Sequence, residues 1–237
     1  MSDGSWNRIY CGRPPDPPEI WSNWNFDPPL LVALAILALV IGRDPRGLVA
    51  VTVLFIAFVS PLCALSSALF SARVVHHVLL TVVAAQLIGW YLPSRKARSV
   101  MLPFAVSTLV FWFWHAPAPY DRALSHIGIY WLMQITLLAS AVWFWREVSA
   151  RNRSPVEALT FIVMGFAQMG MLGAILTFAP QPLYAAHAIA PFAWQLSPLA
   201  DQQIGGLIMW VPAGVLYAMA AIFLLPRPWS KAGDEIT

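Results

Sequence analysis

The chain has 237 residues, of which 59% are hydrophobic and 11% charged, with a formal net charge of +3 and a mean hydropathy of +0.67. A soluble domain of this length could not bury so much apolar surface, so lipid is the expected solvent and a soluble enzyme is excluded. In hydrocarbon only helices or closed barrels satisfy every backbone polar group, and continuous apolar runs without period-two alternation select helices.

The first 27 residues are polar and proline-rich. They hold no apolar core ahead of a small-residue cleavage site, so an external tail over the membrane surface is expected, and not a secretory signal. Its Trp21, Trp24 and Phe26 suit the headgroup layer. Seven apolar runs follow: Pro28 to Gly42, Gly47 to Phe70, Val74 to Leu92, Ser99 to His115, Ile127 to Trp145, Val156 to Phe178 and Gly205 to Leu225. The first and fourth are short against the roughly 17 to 25 residues that cross a bilayer, so they are expected to borrow interfacial neighbours such as Trp24 and Phe26. The predicted organisation is an all-α integral membrane protein: an external tail (1–27), a seven-helix membrane domain (28–226) and a cytoplasmic tail (227–237). No internal repeat, charge run or low-complexity stretch suggests a second domain.

Orientation follows from the basic residues, because cytoplasmic loops retain Lys and Arg during insertion. One side holds Arg43, Arg46, Arg95, Lys96, Arg98, Arg146, Arg151, Arg153, Arg227 and Lys231; the other holds Arg8, Arg13, Arg73 and Arg122, which completes the 14. The N-terminus is therefore expected outside and the C-terminus in the cytoplasm. A basic rim facing anionic lipid accounts for the charge of +3, so membrane lipid is an expected partner and nucleic acid is not. Cys11 in the tail and Cys63 in the second run form no CxxC, which disfavours a disulfide-exchange enzyme. The expectation is an incidental tail thiol and a small buried apolar residue.

Polar groups converge on the outer side. His76 and His77 open the third run, His115 ends the fourth, His126 precedes the fifth, His187 lies in the last external loop, and Asp201, Gln202 and Gln203 precede the seventh. Such groups are expensive in lipid unless they face a partner, water or an ion. Arg73 and His77 are i,i+4 neighbours, as are Tyr130 and Gln134, with His126 one turn outward if that helix starts early. His76 lies about 100° around the helix from His77, so both cannot point at one ion in a regular helix. Met164, Gln168 and Met171 form a further stripe, as do Asp201, Gly205 and Met209 if the last helix begins at Asp201. Imidazoles with thioethers are the ligand combination expected for copper, above all Cu(I). Each feature has a bland counterpart: interfacial histidines, packing methionines, close-packing Gly205 and Gly206, and aromatic belts at Phe111 to Trp114 and Trp143 to Trp145.

The succession Asn25-Phe26-Asp27-Pro28, Val74-Val75-His76-His77, Trp114-His115-Ala116-Pro117 with Tyr120-Asp121, Pro182-Leu183-Tyr184, and above all Asp201-Gln202-Gln203-Ile204-Gly205-Gly206-Leu207-Ile208-Met209-Trp210 resembles the multi-spanning CtaG family of cytochrome c oxidase assembly factors. The DQQxxGxxMW element is the most specific. The resemblance implies a multi-pass protein of the bacterial inner membrane that assists copper insertion into a haem-copper oxidase. There are departures. Where the family tends to place two histidines four apart, Arg73 takes the first position and His77 keeps the second; Gln134 stands where a histidine is usual in the fifth helix. His76 could substitute for one of them. A fixed charge on Arg73 weakens cation binding at His77 unless Asp201 or another carboxylate offsets it.

The functional expectation is a non-enzymatic assembly factor acting from the outer side. His77 and His115 hold copper transiently, with Met209 as soft ligand and His76 in reserve, while Asp201, Gln202, Arg73, Gln134 and Tyr130 surround and orient the ligands. Expected partners are the catalytic subunit of a haem-copper oxidase and a periplasmic copper donor. Other readings are a structural chaperone without metal, a haem b carrier with His77 and His115 as axial ligands, and a small-molecule or ion transporter. A retinal protein is excluded, because the seventh run has no lysine for a Schiff base.

Overall fold

A computed structural model describes residues 10–92, 94, 98–150 and 152–224. Arg8, Arg95, Lys96, Arg151, Arg227, Lys231 and the expected cytoplasmic tail lie outside the described residues. Those described form helices and connections, with no strand among them.

Helix starts follow local chemistry. α1 (Pro28–Ile41), α2 (Pro45–Phe58), α3 (Pro61–Ala68), α7 (Pro117–Ser125) and α9 (Pro155–Phe178) each carry proline in the first turn, where a fixed φ suits the helix and no N–H is needed. Asp44 caps α2 by accepting from the Arg46 amide (2.7 Å), and Ser60 caps α3 by accepting from the Leu62 amide (3.2 Å). α4 (Phe70–Val78) continues through a π-helical turn, Leu79–Ala84, into α5 (Ala85–Tyr91). α6 (Met101–His115), α8 (Ile127–Val148) and α10 (Pro198–Leu224) complete the set.

Four helical stretches are long and apolar enough to cross a membrane: Phe70–Tyr91, α8, α9 and α10. Counting α2 with α3 (bent by 47°) and α6 with α7 (bent by 72°) as single spans makes six; α1, at 14 residues, is shorter. Outward faces expose Val32, Leu39, Leu109, Ile135, Val163 and Ile222, the surface a lipid-embedded protein presents.

The breaks modify the sequence reading. The second run is two helices, interrupted at Val59 and Ser60 ahead of Pro61. Leu69 is extended (φ −113°, ψ 131°), so the third helix begins at Phe70, four residues before the expected start, and carries Arg73 and His77 on one continuous turn. His126 does not extend the α8 stripe. It is the extended N-cap of that helix, its Nδ1 accepting from the Gly128 amide (3.2 Å). The last helix starts at Pro198, so Asp201, Gly205 and Met209 do share a face.

α10 packs along α9 on one side and α4 on the other, while α8 packs against α5 and α6. Close approach of α9 and α10 depends on glycine. A Cβ at Gly206 would meet the Thr177 Oγ1 and lie 2.6 Å from the Gly173 carbonyl oxygen, and one at Gly173 would lie 2.8 Å from the Gly206 carbonyl oxygen. Gly206→Val is therefore expected to remove most folded protein from the membrane, by overpacking worth about 1–3 kcal/mol or more. Wild-type abundance and an unchanged elution profile in detergent would contradict this contact.

At one end of the bundle, Arg46 donates to the Trp90 carbonyl (3.4 Å), and Arg153 pairs with Glu157 (2.7 Å) and donates to the Arg98 carbonyl. The opposite end gathers the tail, the α2–α3 break, the α9–α10 connection and the buried histidines. There Cys11 and Cys63 form a disulfide, so reading them as separate, incidental cysteines was wrong. The pairing needs the tail to fold back across 52 residues, a contact that spacing does not reveal. Asn25 anchors the same return, its amide N–H donating to Val59 O (2.9 Å) and its side chain to Phe58 O (3.1 Å).

Candidate metal centre

The N-terminal end of α4 has no side-chain cap from its own flank, because Leu69 occupies the N-cap. Asp201 supplies it from α10. Its carboxylate accepts from the Phe70 amide (2.6 Å), the Ser71 amide (3.1 Å) and the Ser71 hydroxyl (2.5 Å), fully buried. A carboxylate at a helix N-terminus also meets the favourable end of the helix dipole. This contact sets α4 and α10 in parallel register. Gly205 abuts Phe70 and Val74, so Met209, one turn further along α10 and fully enclosed, lies at the depth of His77.

α8 runs parallel to α4 as well. The Arg73 guanidinium carbon sits 5.3 Å from the centre of the Tyr130 ring, and sixteen residues on, Gly89 abuts Trp145 and Arg146. His77 and Gln134 are thus level, one turn below Arg73 and Tyr130. From α6, His115 brings its ring to 5.4 Å from that of His77, centre to centre. His115 Nδ1 lies 2.7 Å from the Phe111 carbonyl, which fixes that nitrogen as the N–H donor and leaves Nε2 with a free lone pair. Nε2 of His115 and Nε2 of His77 are both buried without a hydrogen-bond partner. His76 also meets His77, their ring centres 5.8 Å apart. Its ring packs edge-on against Phe58 at 4.8 Å, on the α2 side, with both nitrogens unpartnered.

The remaining candidates separate from this pair. Gln202 ties the α9–α10 connection together, accepting from the Leu183 amide (2.7 Å) and donating to Leu176 O (3.2 Å). Gln168 accepts from the Trp112 indole (2.6 Å), while Met164 and Met171 are exposed on the outer surface of α9, away from the histidines. Among the described residues no group of three or more His, Cys, Asp or Glu side chains is arranged to hold a metal. The donors that meet are therefore two imidazoles on different helices, which suit a borderline or soft cation and not a hard one; Met209 lies at a similar depth, with its Cβ toward Gly173 of α9. The separation of the ring centres is within the span of two imidazoles that share one ion over metal–nitrogen bonds of about 2 Å.

Several supporting residues escaped the sequence reading as contacts, although short motifs contained them. Tyr184 donates to the His115 carbonyl (2.8 Å), and Asp121 accepts from the Ala185 and Ala186 amides (3.2 and 3.0 Å). His187 is buried in the α9–α10 connection, bonded to the Tyr120 hydroxyl (2.8 Å) and facing the Ala68 carbonyl (3.3 Å). Burial, and then the Arg73 charge, push His187 down to about 3, so it is neutral at physiological pH.

Fold and site together define a polytopic helical membrane protein with a histidine pair enclosed at one end of its bundle. The chain belongs to the cytochrome c oxidase caa3 assembly factor (CtaG) family, whose family model matches residues 48–231. That segment contains His77, His115, Gln134 and Met209 but leaves out the tail, α1 and the Asn25 to Pro28 motif. No curated protein and no solved structure matches the chain. Membership makes the oxidase undergoing assembly its partner.

Proposed function

We propose that this assembly factor holds Cu(I) in transit between His77 Nε2 and His115 Nε2, with the Met209 sulfur as third donor, and releases it to the oxidase catalytic subunit. It acts without catalytic turnover. The observation that carries this reading is the pair of enclosed imidazoles, 5.4 Å apart, each with an unpartnered Nε2. Unsatisfied buried nitrogens are costly, and a soft cation would satisfy both at once. A periplasmic protein is the expected copper donor.

The proposed topology has seven spans in the bacterial inner membrane, counting α1 and each bent pair once, with the N-terminus outside. It is supported by the Arg46, Arg98 and Arg153 contacts at one end and the histidines at the other. A reporter fused after Lys231 is expected to be active in the cytoplasm and one near Ser5 outside; termini on one side would overturn it.

A structural-chaperone reading draws support from Asp201, Gln202 and His187, whose bonds are satisfied within the protein. A haem carrier fits poorly, because the His77 and His115 rings are in edge contact and leave no slot for a porphyrin. Cu(I) competition titration of purified protein separates copper from no copper. One equivalent is expected, and His77→Ala or His115→Ala should weaken it by more than the about 10- to 100-fold that follows loss of a group behind a ligand. Wild-type protein that binds no Cu(I) would leave the structural reading.

A further inference from the structure

One turn above His77 the protein encloses a charge that it does not balance. Arg73 is completely enclosed; its Nε donates to Ser66 O (3.2 Å) and its guanidinium lies over Tyr130, yet Nη1 and Nη2 have no hydrogen-bond partner. No carboxylate pairs with it: the ion pair found among the described residues is Arg153 with Glu157, and the buried Asp201 is engaged with the α4 amides. Enclosing a guanidinium without a counter-charge is strongly unfavourable.

Two further groups point to what offsets it. Gln134 is buried with neither its amide Nε2 nor its Oε1 in a well-formed hydrogen bond; its side chain reaches up from the level of His77 to the Tyr130 hydroxyl, which Arg73 also approaches. His76 is wholly enclosed with both ring nitrogens unpartnered and feels the Arg73 charge directly. A guanidinium edge, a primary amide and an imidazole N–H can all donate to one acceptor.

We propose that Arg73, Gln134 and His76 form a binding site for a small monovalent anion of the halide class. Complete enclosure excludes a large carboxylate, and a phosphate would bring more negative charge than one guanidinium offsets. The Arg73 charge at that level disfavours a second cation. With the anion bound, Arg73 no longer repels a cation held one turn deeper at His77. The site itself does not rest on the copper reading, and its test uses metal-free protein.

Thermal unfolding of the chelator-treated full chain in detergent is followed while sodium chloride or bromide replaces sodium gluconate at constant ionic strength. The melting temperature is expected to rise and saturate with either halide. Gln134→Leu should raise the half-saturating halide concentration on the order of 10- to 100-fold, as expected for a lost hydrogen bond to a charged group. Arg73→Met should abolish the saturable rise; if that variant does not accumulate, Gln134→Leu decides alone. Unfolding indifferent to the anion, or a halide effect that never saturates and is unchanged in Gln134→Leu, overturns the proposal.

Discussion

Asp201→Asn is expected to deplete the folded protein, with any change in copper handling secondary to that loss. The carboxylate oxygens accept two α4 amides and the Ser71 hydroxyl in a fully buried setting. An asparagine keeps one acceptor and turns an amide donor toward groups that are themselves donors. At least one buried N–H then loses its partner, and the charge facing the α4 dipole disappears. Together these cost on the order of 3 kcal/mol, a large share of the about 5–15 kcal/mol that holds a domain folded. Membrane abundance and the melting temperature in detergent should both fall. Normal abundance and melting with a selective copper defect would mean that Asp201 acts on the ligands, the role its position before the last apolar run suggested.

The difference between those two roles marks how far the sequence could be read. Each of the seven hydrophobic runs falls on helix, because lipid imposes long apolar stretches whatever the tertiary packing, but four to six helical stretches have the length and apolarity of a span. Kinks were legible only in part. Pro61 and Pro117 were visible, but the extended Leu69 and the π-helical turn at Leu79–Ala84 carry no comparable residue signal. At the site, the histidines could be gathered on one side from topology alone. Which of them meet depends on helix register: His77 lies between His115 and its neighbour His76, and His76 packs on its other side against Phe58. The cap that Asp201 gives α4 spans 131 residues, and the Cys11–Cys63 disulfide spans 52, so local spacing held no trace of either. Short motifs around Tyr120, Asp121 and Tyr184 carried more than their length suggested. They are the hydrogen bonds that fix His115 and the α9–α10 connection.

His77→Ala and His115→Ala are expected to separate copper handling from folding. Neither ring is needed as a structural hydrogen-bond donor at Nε2, and truncation removes a buried, unpartnered nitrogen while leaving the Asp201 cap and the α9–α10 glycine contact intact. Some packing is lost, but both variants should insert and accumulate. Met209→Leu, which keeps volume and apolarity, should weaken Cu(I) less than either histidine change. The most direct measurement is the copper-to-haem ratio of the partner oxidase purified from cells carrying the wild-type factor or His115→Ala at matched abundance. The account predicts an oxidase that keeps its haem and is deficient in copper only with the variant; a fully metallated oxidase from the His115→Ala cells would contradict it.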